Sequence, residues 1–568
     1  MSLTKVTYSM IKGAPVNVLD FGAVGDGTTD DTAAIQAAIN KCAAGTHTKD
    51  GLVLGQALYI PAGTFVVTQL NITSPIAIIG AGSAASRLYQ KNSTNLDMVV
   101  VTSVDHIDIS GICFDGNRAN QPFNNGNGLF LDECLNVVIT DCEFRYCSGN
   151  GMRSFGGAYL TFDQCTFRNN FANGTYHTTT AVAISDGTFY IRGSNSVAYE
   201  NGYDGFCYDP GSAECTLTNC VSHENGGTGF NVFGNTSGIQ PFDISFSNCI
   251  SRLNDLEGFS CHSAINVLYT GCQSILDGQI NTGLRINGFI IENDMAGQAK
   301  QVNVTVVGCT VVSPNGHGIY IDSVTADKVT NVIIADCYIT NVGNNASNTY
   351  DGIYVDNAQN VDIMNVRIFD SQSPQKMRYG VTTTVDAVGV KILGGDIGSG
   401  LSGQFNVNTT TYINSNEADQ AYIQTPLLSY DKGLRIGGNP RPRVILDNGL
   451  GLKVRLYQRD DSFSKSGVTN NLYWTGTGSV WNLDDTAKVG WDFYLNCDDN
   501  TAGIKNGVSG ANPTTLTDLW HIDGSTVTSG KTVMWLVVNT GSSTVLKNVQ
   551  MGANDSGGTG FRLLRVEN

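Results

Sequence analysis

The chain has 568 residues, too many for one ordinary compact core, so it divides into domains or grows along one axis as a repeat. Glycine is abundant (66), proline is scarce (12) and only 15% of residues are charged, which excludes disorder and suits short strands joined by tight turns. A net charge of −17 argues against nucleic acid and against anionic membrane surfaces as partners.

The N-terminal stretch MSLTKVTYSMIKGAPVNV lacks the apolar core of a signal peptide, and no apolar run reaches the roughly 18 residues of a membrane span. Synthesis and folding in a cytoplasm are therefore expected, with no membrane insertion and with the fifteen cysteines reduced. Their odd number and the lack of paired CxxC spacing argue against a disulfide framework and against zinc. No metal and no cofactor is expected.

The segment DDTAAIQAAINK (30–41) carries an acidic N-cap and apolar residues at helical spacing, Ala34, Ile35, Ala38 and Ile39, and is the one convincing helix. A repeat follows. An apolar-x-x-Cys pattern recurs at Cys142, Cys165, Cys220, Cys249, Cys272, Cys309 and Cys337, and Ser194, Val366 and Gly395 fit the same place. Each copy holds a second strand of the form Gly-apolar-x-apolar-x, as in GLFLD (128–132), GFCYD (205–209), GFNVF (229–233), GLRIN (283–287) and GIYID (318–322). Short strands recurring at this length with no helix between them predict an all-β chain, a right-handed single-stranded parallel β-helix with a short N-terminal capping helix. The cysteine column reads as small apolar side chains stacked in the core. Asn170, Asn225 and Asn254, five residues after their cysteines, read as a turn ladder.

All five tryptophans lie at or after Trp474, whereas only Cys497 of the cysteines follows Cys337. This shift divides the chain into residues 1–50 (attachment peptide and capping helix), 51–410 (β-helix) and 411–568 (a β-rich C-terminal domain).

VNVLDFGAVGDGTTDDTAAIQAAI (16–39) closely resembles the opening of the pectate-lyase-like β-helix superfamily, above all as found in bacteriophage tailspikes. VQMGANDSGGTGFRLLRVEN (549–568) resembles the closing segment of many phage tail-fibre and tailspike proteins. The resemblance implies a homotrimer in the virion tail, made in the host cytoplasm and attached to a tail or baseplate protein through its N-terminus. It further implies a C-terminal domain for trimerisation or carbohydrate binding, and a bacterial surface polysaccharide as ligand.

On the Gly-apolar-x-apolar-x strand the two x positions point outward. Reading up the turns gives Phe130/Asp132, Arg153/Phe155, Ala183/Ser185, Cys207/Asp209, Asn231/Phe233, Ser260/His262, Arg285/Asn287, Tyr320/Asp322 and Tyr354/Asp356, a wall suited to a sugar chain. Arg153, Phe155, Phe233, Arg285, Tyr320 and Tyr354 are the expected substrate-binding residues. Glu200, Asp204, Asp209, Glu224, Glu257 and His262 are the expected acids and bases. Glu200 and Glu224 fall one turn apart, and Asp204 and Glu257 two turns apart, about 4.8 and 9.6 Å, distances compatible with paired-carboxylate glycoside hydrolysis. Hydrolysis is the first expectation. Elimination beside a uronate by His262 or a tyrosine, with Arg285 neutralising the carboxylate, is the second, and a non-catalytic adhesin or a C5-epimerase are the other readings. GHG (316–318) stands without the companion motifs of polygalacturonase-type hydrolases, so His317 is given no catalytic role.

Overall fold

The computed structural model describes residues 14–414 apart from positions 46, 50–51, 55, 124, 179–189, 235–239, 280–285, 294–300, 324–326 and 409; beyond 414 it describes strand backbones between Arg443 and Val566. The chain forms two compact units, Met1–Pro426 and Leu427–Asn568, a division later than the sequence boundary at 410.

The first unit is a right-handed parallel β-helix. Three parallel sheets of 15, 13 and 14 strands run its length. One turn of the solenoid reads Phe230–Phe233, Phe242–Ser247 and Ile250–Arg252, and the next begins at Phe259–His262. The 13-stranded sheet, here called the wall, holds the Gly-apolar-x-apolar-x strands. Inward residues stack on their equivalents in neighbouring turns. Phe206, Phe230, Phe259 and Phe289 form one column with ring centroids 5.2, 4.9 and 4.6 Å apart. Phe114, Phe144 and Phe167 form another.

From the 15-stranded to the 14-stranded sheet the chain turns in two residues, as at Asp141–Cys142, Asn219–Cys220 and Asn248–Cys249. The first of each pair has left-handed backbone (φ 50°, 55° and 53°), which Asn and Asp tolerate, and elsewhere Gly271 and Gly308 fill the place. The second points into the core, so the cysteines stack, and the described cysteines are free and buried. The register corrects one member of the column. Cys165 pairs across to Ser196, whose Oγ accepts from the Cys165 amide at 3.0 Å, and Ser194 faces outward two residues earlier.

After the 14-stranded sheet a ladder of buried amides holds the turn. Asn170 Oδ1 accepts from the Cys147 amide, Asn201 from Asn170, Asn225 from Asn201, and Asn254 from Asn225, at 3.0–3.2 Å. Asp277 ends the series, taking the Asn254 amide at 3.0 Å and the Ser274 hydroxyl at 2.7 Å. Complete burial pushes its carboxyl up to about 6.

The helix runs Thr32–Ala44 and buries Ile35, Ala38, Ile39 and Cys42 over the end of the solenoid, closing the core. Asp31, at the N-cap, makes no side-chain cap. Its carboxylate takes the amides of Val24 (2.7 Å) and Gly25 (3.1 Å), while Asp30 takes that of Thr32. No helix of the described residues is long and apolar enough to cross a membrane.

The second unit contains a nine-stranded antiparallel sheet, from Arg443–Asp447 to Phe561–Val566, and the hairpin Leu472–Trp474 with Trp481–Leu483.

Candidate functional site

The wall has two outward columns, and the register assigns their members. The inner column reads Phe130, Arg153, Tyr176, Cys207, Asn231, Ser260, Ile290, Tyr320, Tyr354 and Thr382. The outer reads Asp132 and Phe155, then Phe233, His262, Glu292 and Asp322, with Asp209 in the turn below Phe233.

Two turns differ from the sequence expectation. The strand after Met152–Phe155 is Thr175–Thr178, so Tyr176 stands where Ala183 was expected; Ala183 and Ser185 lie outside the described residues. Thr175 and His177 point inward there, and such polar residues hid the strand from an apolar pattern. The strand after Phe259–His262 is Phe289–Asn293, so the outward pair is Ile290 and Glu292, not Arg285 and Asn287. GLRIN (283–287) and GFIIE (288–292) both satisfy the pattern, and the second enters the sheet. Asn287 is buried just before it, and Arg285 lies outside the described residues.

Around Cys207 the outward groups converge. The Tyr176 hydroxyl donates to Asp209 Oδ2 at 2.5 Å, and Cys207 Sγ lies 3.5 Å from Asp209 Oδ1. Asn231 donates to Asp204 Oδ2 at 2.8 Å, and the Ser260 hydroxyl donates to Asn231 at 2.6 Å. Burial raises the carboxyls of both Asp209 and Asp204 above the usual range. Tyr176 is raised by burial and then by Asp209, so its hydroxyl stays protonated and acts as a donor. One turn below, the Arg153 guanidinium lies between the rings of Phe130 (5.3 Å) and Tyr176 (5.6 Å). Its buried Nε has no hydrogen-bond partner and the group has no carboxylate in ion-pair range among the described residues.

Asp204 also serves the backbone. The position before each wall glycine forms a second ladder, in which each side chain accepts from the amide one turn on. Asp97 takes Asn127, Asn127 takes Asn150, Asn150 takes Asn173, Asn173 takes Asp204, and Asp204 takes Thr228, at 2.8–3.1 Å. Farther along, Asn287 takes His317, His317 Nδ1 takes Asp351, and Asp351 takes Tyr379. His317 is 4% exposed and Asp351 fully buried, held by Arg378 through two hydrogen bonds of 2.9 and 2.6 Å. Glu257 occupies the same column two turns above Asp204, its carbonyl accepting from the Gly229 amide.

The remaining expected residues spread over two faces. His262 stands two turns above Asp209, beside the Phe233 ring (5.7 Å) and 3.8 Å from Glu292. Phe155 is half-buried below. Tyr320 and Tyr354 stack at 5.5 Å, Tyr320 only 1% exposed with its hydroxyl on Asp322, and Tyr354 reaching Asp356. Glu200 and Glu224 leave the wall altogether. They are exposed, one turn apart, at the corner after the 14-stranded sheet, with left-handed backbone (φ 53° and 57°). Glu200 accepts from Asn169 (2.7 Å), and Glu224 lies 3.3 Å from His223. Among the described residues no group of His, Cys, Asp and Glu is arranged to hold a metal ion.

Residues 15–254, which include the Asp204–Asp209 cluster, match the family model described as rhamnogalacturonase A/epimerase, pectate lyase-like. The chain is 31% identical over 267 residues to mannuronan C5-epimerase AlgE2 of Azotobacter vinelandii, covering 43% of this chain and 25% of that one. It is 24% identical over 451 residues to the pre-neck appendage protein of Bacillus phage phi29, covering 72% and 49%. The A-module of mannuronan C-5 epimerase AlgE6 of Azotobacter vinelandii superposes with a TM-score of 0.49 at 20% identity, covering 70% of this chain and 99% of the module. The chain thus spans between a quarter and a half of these curated relatives. The sequence resemblance to the pectate-lyase-like β-helix superfamily is borne out by these matches, a phage pre-neck appendage protein among them.

Proposed function

From a pectate-lyase-like β-helix with relatives among polysaccharide-modifying enzymes and phage appendages, we propose a virion tail protein that binds a bacterial surface polysaccharide along the wall and cuts it at Asp209. The observation that carries this reading is the Asp209–Tyr176–Arg153 arrangement: a carboxyl raised by burial, a protonated hydroxyl on it, and, one turn from that hydroxyl, a guanidinium with no carboxylate in ion-pair range among the described residues.

Those three groups suit elimination from an acidic sugar. Arg153 meets the sugar carboxylate and makes the neighbouring C–H more acidic. Asp209, as carboxylate, takes that proton, and the burial that raises its carboxyl makes it a stronger base. Tyr176 gives its proton to the departing glycosidic oxygen. The C–H and C–O bonds break, a carbon–carbon double bond forms, and no water is consumed. Arg153 here takes the role that the sequence gave to Arg285. Phe155, Phe233 and Tyr354 extend the wall for neighbouring sugars.

Hydrolysis by Asp204 and Asp209 is the second reading, favoured by burial holding both carboxyls above their usual range beside one thiol. It ranks second because the oxygens of Asp204 already accept from Thr228 and Asn231.

The test is incubation with a panel of acidic capsular and O-antigen polysaccharides, followed by mass spectrometry. Oligosaccharides carrying a double bond, absent with Asp209→Asn, support elimination. Saturated fragments select hydrolysis. Binding with no fragments selects the adhesin, or an epimerase if proton NMR shows inverted sugars.

A further inference from the structure

Tyr203 stands at the turn that leads into the wall, one residue before Asp204, and is 54% exposed. Its surroundings are built in layers. Beneath it lies Phe171, edge to face at 6.1 Å and 87°. The Arg118 guanidinium lies over the Phe171 ring at 5.2 Å, with Nη1 near the Asn169 carbonyl. The backbone of the turn is stacked by hydrogen bonds. Tyr203 donates to Ala172, and Gly227 one turn on donates to Tyr203.

The residues around that ring are bare. Gly202 precedes it, and Gly226 and Gly227 occupy the next turn. A Cβ on Gly202 would lie 2.0 Å from the Phe171 carbonyl oxygen, one on Gly226 2.5 Å from that of Gly202, and one on Gly227 2.4 Å from Asp204 Oδ1. Close backbone packing therefore keeps side chains off the turn above Tyr203. The result is an exposed aromatic with an aromatic and a cation packed beneath it and glycines in the turn above, one residue from Asp204.

We infer that Tyr203 is a platform for a pyranose ring of the polysaccharide, a subsite that carries the sugar chain from the wall over the corner of the solenoid, with Arg118 donating to its hydroxyls or acidic substituent. The C–H face of a pyranose packs on an aromatic ring, and an exposed tyrosine offers that area at little entropic cost. This rests on the proposal that the wall binds polysaccharide. It adds a binding residue off the sheet, at a position the outward pattern of the strands does not reach.

The probe is a printed array of bacterial capsular and O-antigen polysaccharides, read with the full chain carrying Asp209→Asn so that bound sugar persists. Tyr203→Ala in that background should bind its best polysaccharide about tenfold more weakly, and Tyr203→Trp should restore binding, with unchanged thermal unfolding. In the active protein Tyr203→Ala should raise KM and leave kcat within about twofold. Equal binding by Tyr203→Ala and its parent overturns the platform and leaves the wall reading intact. Failure of the parent to bind any polysaccharide overturns both.

Discussion

The Tyr176 hydroxyl donates to Asp209 across adjacent turns of the solenoid at 2.5 Å, although the two residues lie 33 positions apart in the chain. The bond lowers the Asp209 carboxyl against the burial that raises it. Removing it should raise that carboxyl further. Tyr176→Phe should shift the acid limb of the pH–rate profile upward, since the carboxylate form then appears at higher pH, and should cut kcat by about tenfold or more. Asp209→Asn should cost about 10²–10⁴-fold. An unchanged acid limb in Tyr176→Phe would remove Asp209 from the reaction.

Arg153 should discriminate by charge. Arg153→Ala should weaken turnover of an acidic polysaccharide by at least about tenfold and leave turnover of its methyl-esterified derivative, uncharged but with the C–H still acidic, nearly unaffected, as compared by kcat/KM on both. Equal losses on the two would mean that Arg153 only packs between Phe130 and Tyr176.

Asp277 should make the solenoid more stable in mild acid. Its folded carboxyl sits at about 6 against an ordinary 3.8, so the folded state binds the proton more tightly. The resulting stability is fully present below pH 4 and is lost as pH rises through 6, a change of roughly 3 kcal/mol. Asp277→Asn should raise the melting temperature at pH 8 and converge on the parent near pH 4.

His177 acts in the opposite sense. It lies in the core between Phe162 and Tyr208, hydrogen-bonded to Ser154 at 2.7 Å, and burial pushes it down to about 3. The folded state refuses the proton, so stability falls as pH drops below 6.5, by roughly 2 kcal/mol at pH 5. His177→Phe should flatten that part of the curve in thermal unfolding between pH 7 and 4.

Light scattering addresses the assembly implied by the resemblance to tailspikes. A homotrimer should give a mass near three times 60.5 kDa, and a value near 60.5 kDa would overturn it.

The solenoid was legible because its signals repeat. Each two-residue corner needs a left-handed residue followed by an inward one, and that requirement writes Asn-Cys, Asp-Cys or Gly-Cys into the sequence at most recurrences, with Gln164-Cys165, Asn195-Ser196 and Asn365-Val366 among the variants. The wall was legible where its inward positions are apolar, as at Phe230 and Val232. It was lost at Thr175–Thr178, where Thr175 and His177 fill those positions, so Tyr176 was missed. Glu292 was missed because two pentapeptides five residues apart satisfy one pattern, and only cross-strand pairing chooses between them. The double duty of Asp204 could not be read locally, because its partners Asn173 and Thr228 lie one turn away on either side.

The two-residue corner recurs from turn to turn, whereas the connection that follows each wall strand varies, from two residues after Asp132 to seven after Thr383. The connection that leads into the wall varies too, being six residues after Arg145 and twelve after Thr340, so length variation falls on the two corners that flank the wall, while the core columns keep their spacing. Such a scaffold can exchange its connecting segments without repacking the solenoid, so a change in what the wall binds need not be a change of fold.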